Sequence, residues 1–267
     1  MLARFAFGLF KPKYKILGAD FAGIIEEVGN NVKHFKVGDR VFGESIKGGA
    51  FAEYVCVAAN VCGIMPDGTG FPEMASVPIA GITALQALVT HGKLKAGESV
   101  LINGSSGGVG HFAVQIAKAY GANVTAVCSS KNIDFVKTLG ADQVIAYDKE
   151  SIHHHHGKYN LVIDTHGNLS HRDYQRMGQR GVVVGFTTLW HMISLSLTGK
   201  IRKSPITQFT AEVNTKDLEQ LALLIEKGKV KVYIEKTYSY KEIPEAISHI
   251  EAMRTRGKVA MVWENIE

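Results

Sequence analysis

The chain has 267 residues, 46% of them hydrophobic and 21% charged, with a formal net charge of +5, enough apolar material to bury the core of one large or two smaller domains. Its basic residues are scattered except for Lys200, Arg202 and Lys203 and for Lys227, Lys229 and Lys231, which read as solvated faces and give no case for nucleic acid as a partner. No apolar run is long enough to span a bilayer and no signal-peptide pattern is present, so the expectation is a soluble, cytoplasmic chain that does not insert in a membrane.

The opening stretch MLARFAFGLFKPKYKI is apolar and basic without a clean period, and reads as a segment that docks elsewhere. From Leu17 the texture changes to short β-like pieces, DFAGIIEEVG, VKHFKVGDRVFG and GGAFAEYVCV, separated by turns at Gly29-Asn30-Asn31, Gly43 and Gly48-Gly49. This is the pattern of a small antiparallel barrel. Asp39 and Arg40, at the turn Lys36-Val37-Gly38-Asp39, read as residues that shape and pair at a turn. The loop IMPDGTGFP closes the region, and PEMASVPIAGITALQALVTHGKL follows with apolar positions at helical spacing.

Val100 to Tyr120, VLINGSSGGVGHFAVQIAKAY, reads as an apolar strand, a glycine turn and an amphipathic helix. That unit points backbone N–H groups and a positive helix end at an anion. Gly104, Gly107 and Gly110 are spaced G-x-x-G-x-x-G, with Ser105 standing where the common dinucleotide fingerprint has a glycine. A purely structural turn is the alternative, but it rarely needs four glycines in seven residues. Ser105 and Ser106 lie inside the turn and are read as phosphate hydrogen-bonders.

Beyond it come a strand VTAVC, a helix NIDFVKTLG capped by Gly140, and strands QVIAY, NLVID and GVVVGF, with a helix around His171 to Met177. Apolar strands alternating with helices indicate a parallel sheet covered on both faces. Leu189 to Phe209 is ambiguous, and the tail offers a helix capped by Thr215, a strand, a helix around PEAISHIEAMRT and a final strand VAMVW.

The end of the second strand of such a sheet reads the adenosine ribose. A carboxylate there selects NAD, whereas hydroxyl or basic groups admit the 2′-phosphate of NADP. VTAVC ends in Ser129-Ser130-Lys131 and meets no carboxylate before Asp134, which favours NADP, although a serine pair is also an ordinary helix start. Tyr147, ending the third strand, either flanks the adenine end or covers the core. His153 to His156 read as a solvated loop, because a metal site gathers ligands from separate elements. Neither the remaining histidines nor Cys56, Cys62 and Cys128 show metal-ligand spacing, and three thiols that cannot all pair suit a reducing compartment. No nucleophile signature such as G-x-S-x-G is present, which leaves the chemistry to a cofactor.

Taken in order, GADFAGIIEEVG, VGDRVFG, GGAFAEYV, PIAGITALQAL, NGSSGGVGHFAVQIAKAYGANVTAVCSSKN and GKVAMVW resemble the medium-chain dehydrogenase/reductase superfamily, and within it the zinc-independent quinone oxidoreductase branch. The resemblance implies an α/β fold: a Rossmann-type doubly wound parallel sheet, here over 77–212, beside a GroES-like β-barrel formed from 1–76 and from a returning segment 213–267. It implies NADP(H) in the cleft between them, a small quinone or α,β-unsaturated carbonyl as hydride acceptor, and a homodimer. Ala19-Asp20 stand where zinc-dependent relatives carry a His-Glu pair, and no cysteine lobe lies between Ile64 and Ala75, so a zinc-type alcohol dehydrogenase is the weakest alternative.

By the same resemblance, Thr83 approaches the nicotinamide, and Ser106, Gly107, Gly108 and Val109 line the pyrophosphate turn. Ser130, Lys131 and Tyr147 hold the adenosine end, Gly185, Phe186 and Thr187 the nicotinamide side, and Lys258 reaches toward the cofactor or is structural. Relatives carry roughly fifty more residues before GADFAG, room for several strands and an Asn-x-x-Asp segment that lines the substrate cleft. The expectation is therefore an incomplete barrel, which motivates a second reading as a non-catalytic NADPH-binding sensor or partner protein.

Overall fold

The computed structural model describes residues 15–152, 159–184, 206–252 and 254–263. The readings placed on the opening stretch up to Tyr14, on His153 to His156, on Gly185, Phe186 and Thr187, and on most of Leu189 to Phe209 fall outside them.

β1 (Asp20–Ile24), β2 (Arg40–Glu44) and β3 (Cys62–Ile64) form a three-stranded antiparallel sheet in that order. The Lys36 to Asp39 turn joins the first two as expected: Gly38 takes φ +89° and Asp39 Oδ2 accepts the Lys36 N–H at 2.9 Å. Arg40 leaves the turn, donating to the Thr69 carbonyl at 2.6 Å and lying over the Phe71 ring. GGAFAEYVCV differs from expectation, since none of it is strand. Gly48 and Gly49 both take positive φ, and Gly49, Ala50 and Phe51 donate irregularly to the carbonyls of Leu17 and Gly18, just before β1.

The helical stretch after the loop is broken rather than continuous. α1 (Phe71–Ala75) ends before Pro78, which opens α2 (Pro78–Leu85), and a π-type turn (Gln86–His91) carries α2 to Gly92. The large sheet then alternates with helices: β4 (Ser99–Asn103), α3 (Gly110–Ala119), β5 (Asn123–Cys128), α4 (Ile133–Thr138), β6 (Gln143–Ala146), β7 (Tyr159–Asp164), α5 (His171–Met177), β8 (Gly178–Val183) and β9 (Ile206–Gln208). All its pairs are parallel, in the order β6-β5-β4-β7-β8-β9. This is the doubly wound Rossmann order. Successive side chains of a strand face opposite sides, so Val100 and Ile102 join one apolar cluster while Leu101 joins another with Val127, Ile145, Val162 and Met177.

α6 (Thr215–Glu226) starts one residue earlier than its expected cap allows. Thr215 is its first helical residue, and Asn214 caps it by accepting the Asp217 N–H at 2.9 Å. β10 (Ile234–Ser239), α7 (Ile243–Glu251) and β11 (Lys258–Val262) follow, with β10 and β11 paired in parallel. Leu218 and Leu221 of α6 share one core with Phe42 of the small sheet, with Val61 just before β3, and with Ile82, Leu85, Ile102 and Phe112. The small sheet and the Rossmann sheet are therefore held against each other by common apolar contacts.

Candidate functional site

Strand order reverses at β4, which has β5 on one side and β7 on the other, and loops at such a switch point leave a crevice outside the strand ends. The glycine turn emerges there. Gly104 takes φ +82°, and a Cβ on it would stand 2.6 Å from Thr165 Oγ1. A Cβ on Gly110 would overlap the Gly104 carbonyl oxygen, so the start of α3 can close on the turn only as glycine. Gly107 and Gly108 differ: an added Cβ on either would meet its nearest neighbour at 3.5 Å, an ordinary van der Waals contact without overlap.

The two serines of the turn have separate roles, which corrects the sequence reading of Ser105. Its hydroxyl is fully buried, donating to the Ile102 carbonyl at 2.6 Å and accepting the Val127 N–H at 2.9 Å, so it ties the turn to β5 and cannot reach an anion. Ser106 Oγ accepts from Asn132 Nδ2 at 3.0 Å at the crevice. Among the described residues no acceptor stands opposite the backbone N–H groups of Ser106, Gly108 and Val109. Unpaired N–H donors, a turn without Cβ atoms at Gly107 and Gly108 and the positive end of the ten-residue α3 together fit a pyrophosphate.

The outer end of the crevice lies beyond β5 and β6. Tyr147 is 61% exposed, and Lys131 is also exposed. Ser130 is already engaged: its N–H donates to Asp148 Oδ1 at 2.7 Å and its hydroxyl to Asp148 Oδ2 at 2.6 Å. These bonds hold the Asp148 carboxyl below its ordinary pKa. The reading that no carboxylate reaches the end of the second strand is therefore corrected. The acid comes from the turn after β6, which follows the last register pair, Cys128↔Ala146, and brings Asp148 to Ser130.

At the inner end, the closing segment reaches over the turn. The Gly257 N–H donates to the Ser106 carbonyl at 2.9 Å, and Lys258 Cδ would be 3.5 Å from a Cβ on Gly108. The Lys258 ammonium lies 3.7 Å from Asp20 Oδ2, while Asp20 Oδ1 accepts the N–H of Ile79 at the start of α2. Asp20 is paired across β1 and β2 with Glu44, so the two side chains share one face of the small sheet. Burial raises the Asp20 pKa against the opposing pull of Lys258. Burial first and the Asp20 charge second lift Glu44 to about 7. Thr83, on α2, is largely buried at 8% exposure.

Sequence reasoning missed three groups besides Asp148. Glu44 carried no motif, and only the β1–β2 register reveals its proximity to Asp20. Asp164, fully buried at the end of β7, accepts the N–H groups of His166 and Gly167 on one oxygen and those of Asn168 and Leu169 on the other. The Asn103 side-chain amide also donates to it at 2.8 Å, so one carboxylate ties the β4 and β7 ends that border the crevice. His111, buried behind the turn with Nδ1 3.1 Å from the Gly107 carbonyl, is pushed down to about 4 by burial and stays neutral. No group of three or more His, Cys, Asp or Glu side chains suited to a metal ion occurs among the described residues.

Sheet order, the glycine turn at the switch point and the segment entering β11 that reaches over it define a Rossmann-type α/β protein with an accessory β domain. The family model for the alcohol dehydrogenase GroES-like domain matches residues 4–67, and that for zinc-binding dehydrogenase matches 139–261. A chloroplast envelope quinone oxidoreductase homolog of Arabidopsis thaliana is 32% identical over 273 residues, 94% of this chain and 82% of the relative. A chloroplastic NADPH-dependent alkenal/one oxidoreductase of the same plant is 32% identical over 262 residues, 94% of this chain and 64% of the relative. Among solved structures, Escherichia coli quinone oxidoreductase complexed with NADPH superposes with a TM-score of 0.79 at 25% identity, covering 96% of this chain and 85% of that one. The chain belongs to the medium-chain dehydrogenase/reductase superfamily and is an oxidoreductase with quinone oxidoreductase-like relatives.

Proposed function

We propose that the protein is an NADPH-dependent reductase that delivers hydride to small quinones or α,β-unsaturated carbonyl compounds without zinc. The observation that carries this is the glycine turn at the switch point, with unpaired N–H groups on Ser106, Gly108 and Val109 and Lys258 leaning over it. The NADPH of the E. coli quinone oxidoreductase structure and the NADPH-dependent alkenal/one oxidoreductase support the coenzyme and the acceptor class. Ala19 offers a methyl group where a zinc-dependent relative needs an imidazole, which supports a metal-free reaction.

In this reading Ser106, Gly107, Gly108 and Val109 hold the pyrophosphate through backbone donors and the helix end. Ser130, Lys131 and Tyr147 border the adenosine ribose, and Thr83, Gly185, Phe186, Thr187 and Lys258 border the nicotinamide half. Bound reduced coenzyme supplies a hydride from its nicotinamide ring. The chain positions the acceptor, excludes water and keeps protons close by. Glu44 and Asp20 share a face on which burial favours protonation, and Lys258 opposes this at Asp20.

Turnover is followed as the loss of NADPH absorbance with a simple quinone and with an alkenal in separate assays. Oxidation with either one is expected. Absence of turnover with both, in protein that binds NADPH, would remove the reductase reading and leave a coenzyme-binding protein.

A further inference from the structure

We propose that Asp148 is a specificity-determining residue that holds the Ser130 donors against the coenzyme 2′-phosphate and lets the site accept NADH as well as NADPH. This inference rests on the coenzyme reading above and refines it.

Its basis is geometric. Both donors of Ser130, the N–H and the hydroxyl, already end on the two oxygens of Asp148 at 2.7 and 2.6 Å. Those two donors are what Ser130 could offer a phosphate, and the carboxylate that grips them repels a phosphate approaching the same donors. The same carboxylate is the acceptor that a free ribose 2′-hydroxyl requires. The parallel register builds this in: β5 and β6 run alongside each other so that the turn after β6 brings Asp148 to Ser130, and no side-chain rearrangement is needed to bring them together.

The surrounding charges do not cancel the effect. Lys149 adds some stabilisation to the Asp148 carboxylate, and Lys131 is exposed on the other side of Ser130. Cys128, buried beneath, is pushed up to about 11 by burial and by the Asp148 charge, so it stays a neutral thiol. The outer end of the crevice therefore combines a feature that suits NADP, the exposed lysine, with one that suits NAD, the carboxylate. Neither wins outright, which is the arrangement of a dual-coenzyme site rather than a selective one.

The test uses the adenosine halves of the two coenzymes, which bind without turnover. Affinities of 2′,5′-ADP and of 5′-AMP are measured by titration calorimetry for the full chain, for Asp148→Asn, for Asp148→Ala and for Ser130→Ala, alone and added to Asp148→Ala, each checked for an unchanged thermal melt. Freeing Ser130 and removing one like charge is expected to raise the preference for 2′,5′-ADP over 5′-AMP about tenfold in both Asp148 variants. Ser130→Ala alone is expected to leave 2′,5′-ADP affinity little changed, because Asp148 already holds that hydroxyl, whereas added to Asp148→Ala it is expected to remove part of the gain. An unchanged preference in both Asp148 variants, with both nucleotides still bound, would overturn the role of Asp148 while leaving the coenzyme reading intact. Failure of the wild-type chain to bind either nucleotide would overturn the coenzyme reading, and this inference with it.

Discussion

Glu44→Gln is the most informative single change outside the glycine turn. Glu44 is 8% exposed and faces Asp20 across β1 and β2, and its pKa stands at about 7 against an ordinary 4.5. A carboxyl whose pKa is raised on folding favours the folded state while protonated. Its contribution is complete below about pH 4.5 and is lost as pH rises through about 7. Each pH unit of displacement is worth about 1.4 kcal/mol, which sets an upper limit of about 3 kcal/mol. Relaxation of the site around the charged form reduces this to about 1–2 kcal/mol. Glutamine imitates the protonated acid, so the variant should match wild type at about pH 5 and exceed its stability by about 1–2 kcal/mol at about pH 8. Urea denaturation midpoints at the two pH values provide the assay. Parallel pH profiles for the two proteins would refute the raised pKa of Glu44.

Lys258→Met removes the cation beside a buried carboxylate, and should cost about 2 kcal/mol at about pH 8 and less at about pH 5, as read by the same denaturation series. In the glycine turn, Gly108→Ala should leave the thermal melt almost unchanged, because its Cβ has room, yet weaken NADPH binding at least tenfold by filling the space above the N–H groups. Gly110→Ala should do the reverse in kind: overlap with the Gly104 carbonyl forces α3 to shift, at a cost of about 1–3 kcal/mol in stability. Asp164→Ala strands four N–H groups in a buried site, and should lower stability by at least about 4 kcal/mol in denaturant unfolding.

The Rossmann sheet was legible because its strands are apolar runs separated by amphipathic helices, and because glycines mark the one turn where backbone must approach a ligand. Gly140 at φ +100° closes α4 as its position indicated. β9 was not legible, since three residues, Ile206–Gln208, behind a basic connector carry no period. GGAFAEYVCV looked like a strand by composition, but its two leading glycines turn the chain away from pairing. Ser105 and Ser106 are indistinguishable by type, and only the fold turns one hydroxyl inward to β5 and leaves the other at the crevice.

The carboxylate beside Ser130 was hidden for a related reason. Reading forward from VTAVC finds Asp134 first, while the residue that faces Ser130 lies 18 positions away at the end of a parallel neighbour. The pairing of Asp20 with Glu44 was equally invisible, because antiparallel register joins residues that no local motif connects. In both cases the chemistry of the site is decided by strand neighbours, and sequence order alone does not supply them.

Hydride delivery from a coenzyme held on the glycine turn is tested most directly by isotope transfer. NADPH deuterated at nicotinamide C4 is incubated with the protein and an α,β-unsaturated ketone, and the product is analysed by mass spectrometry and proton NMR. The expected result is a single deuterium at the β-carbon, with the α-proton taken from water and incorporation strongly reduced in Gly108→Ala. Saturated product without deuterium from either face of the labelled coenzyme, or equal incorporation in Gly108→Ala, would contradict it.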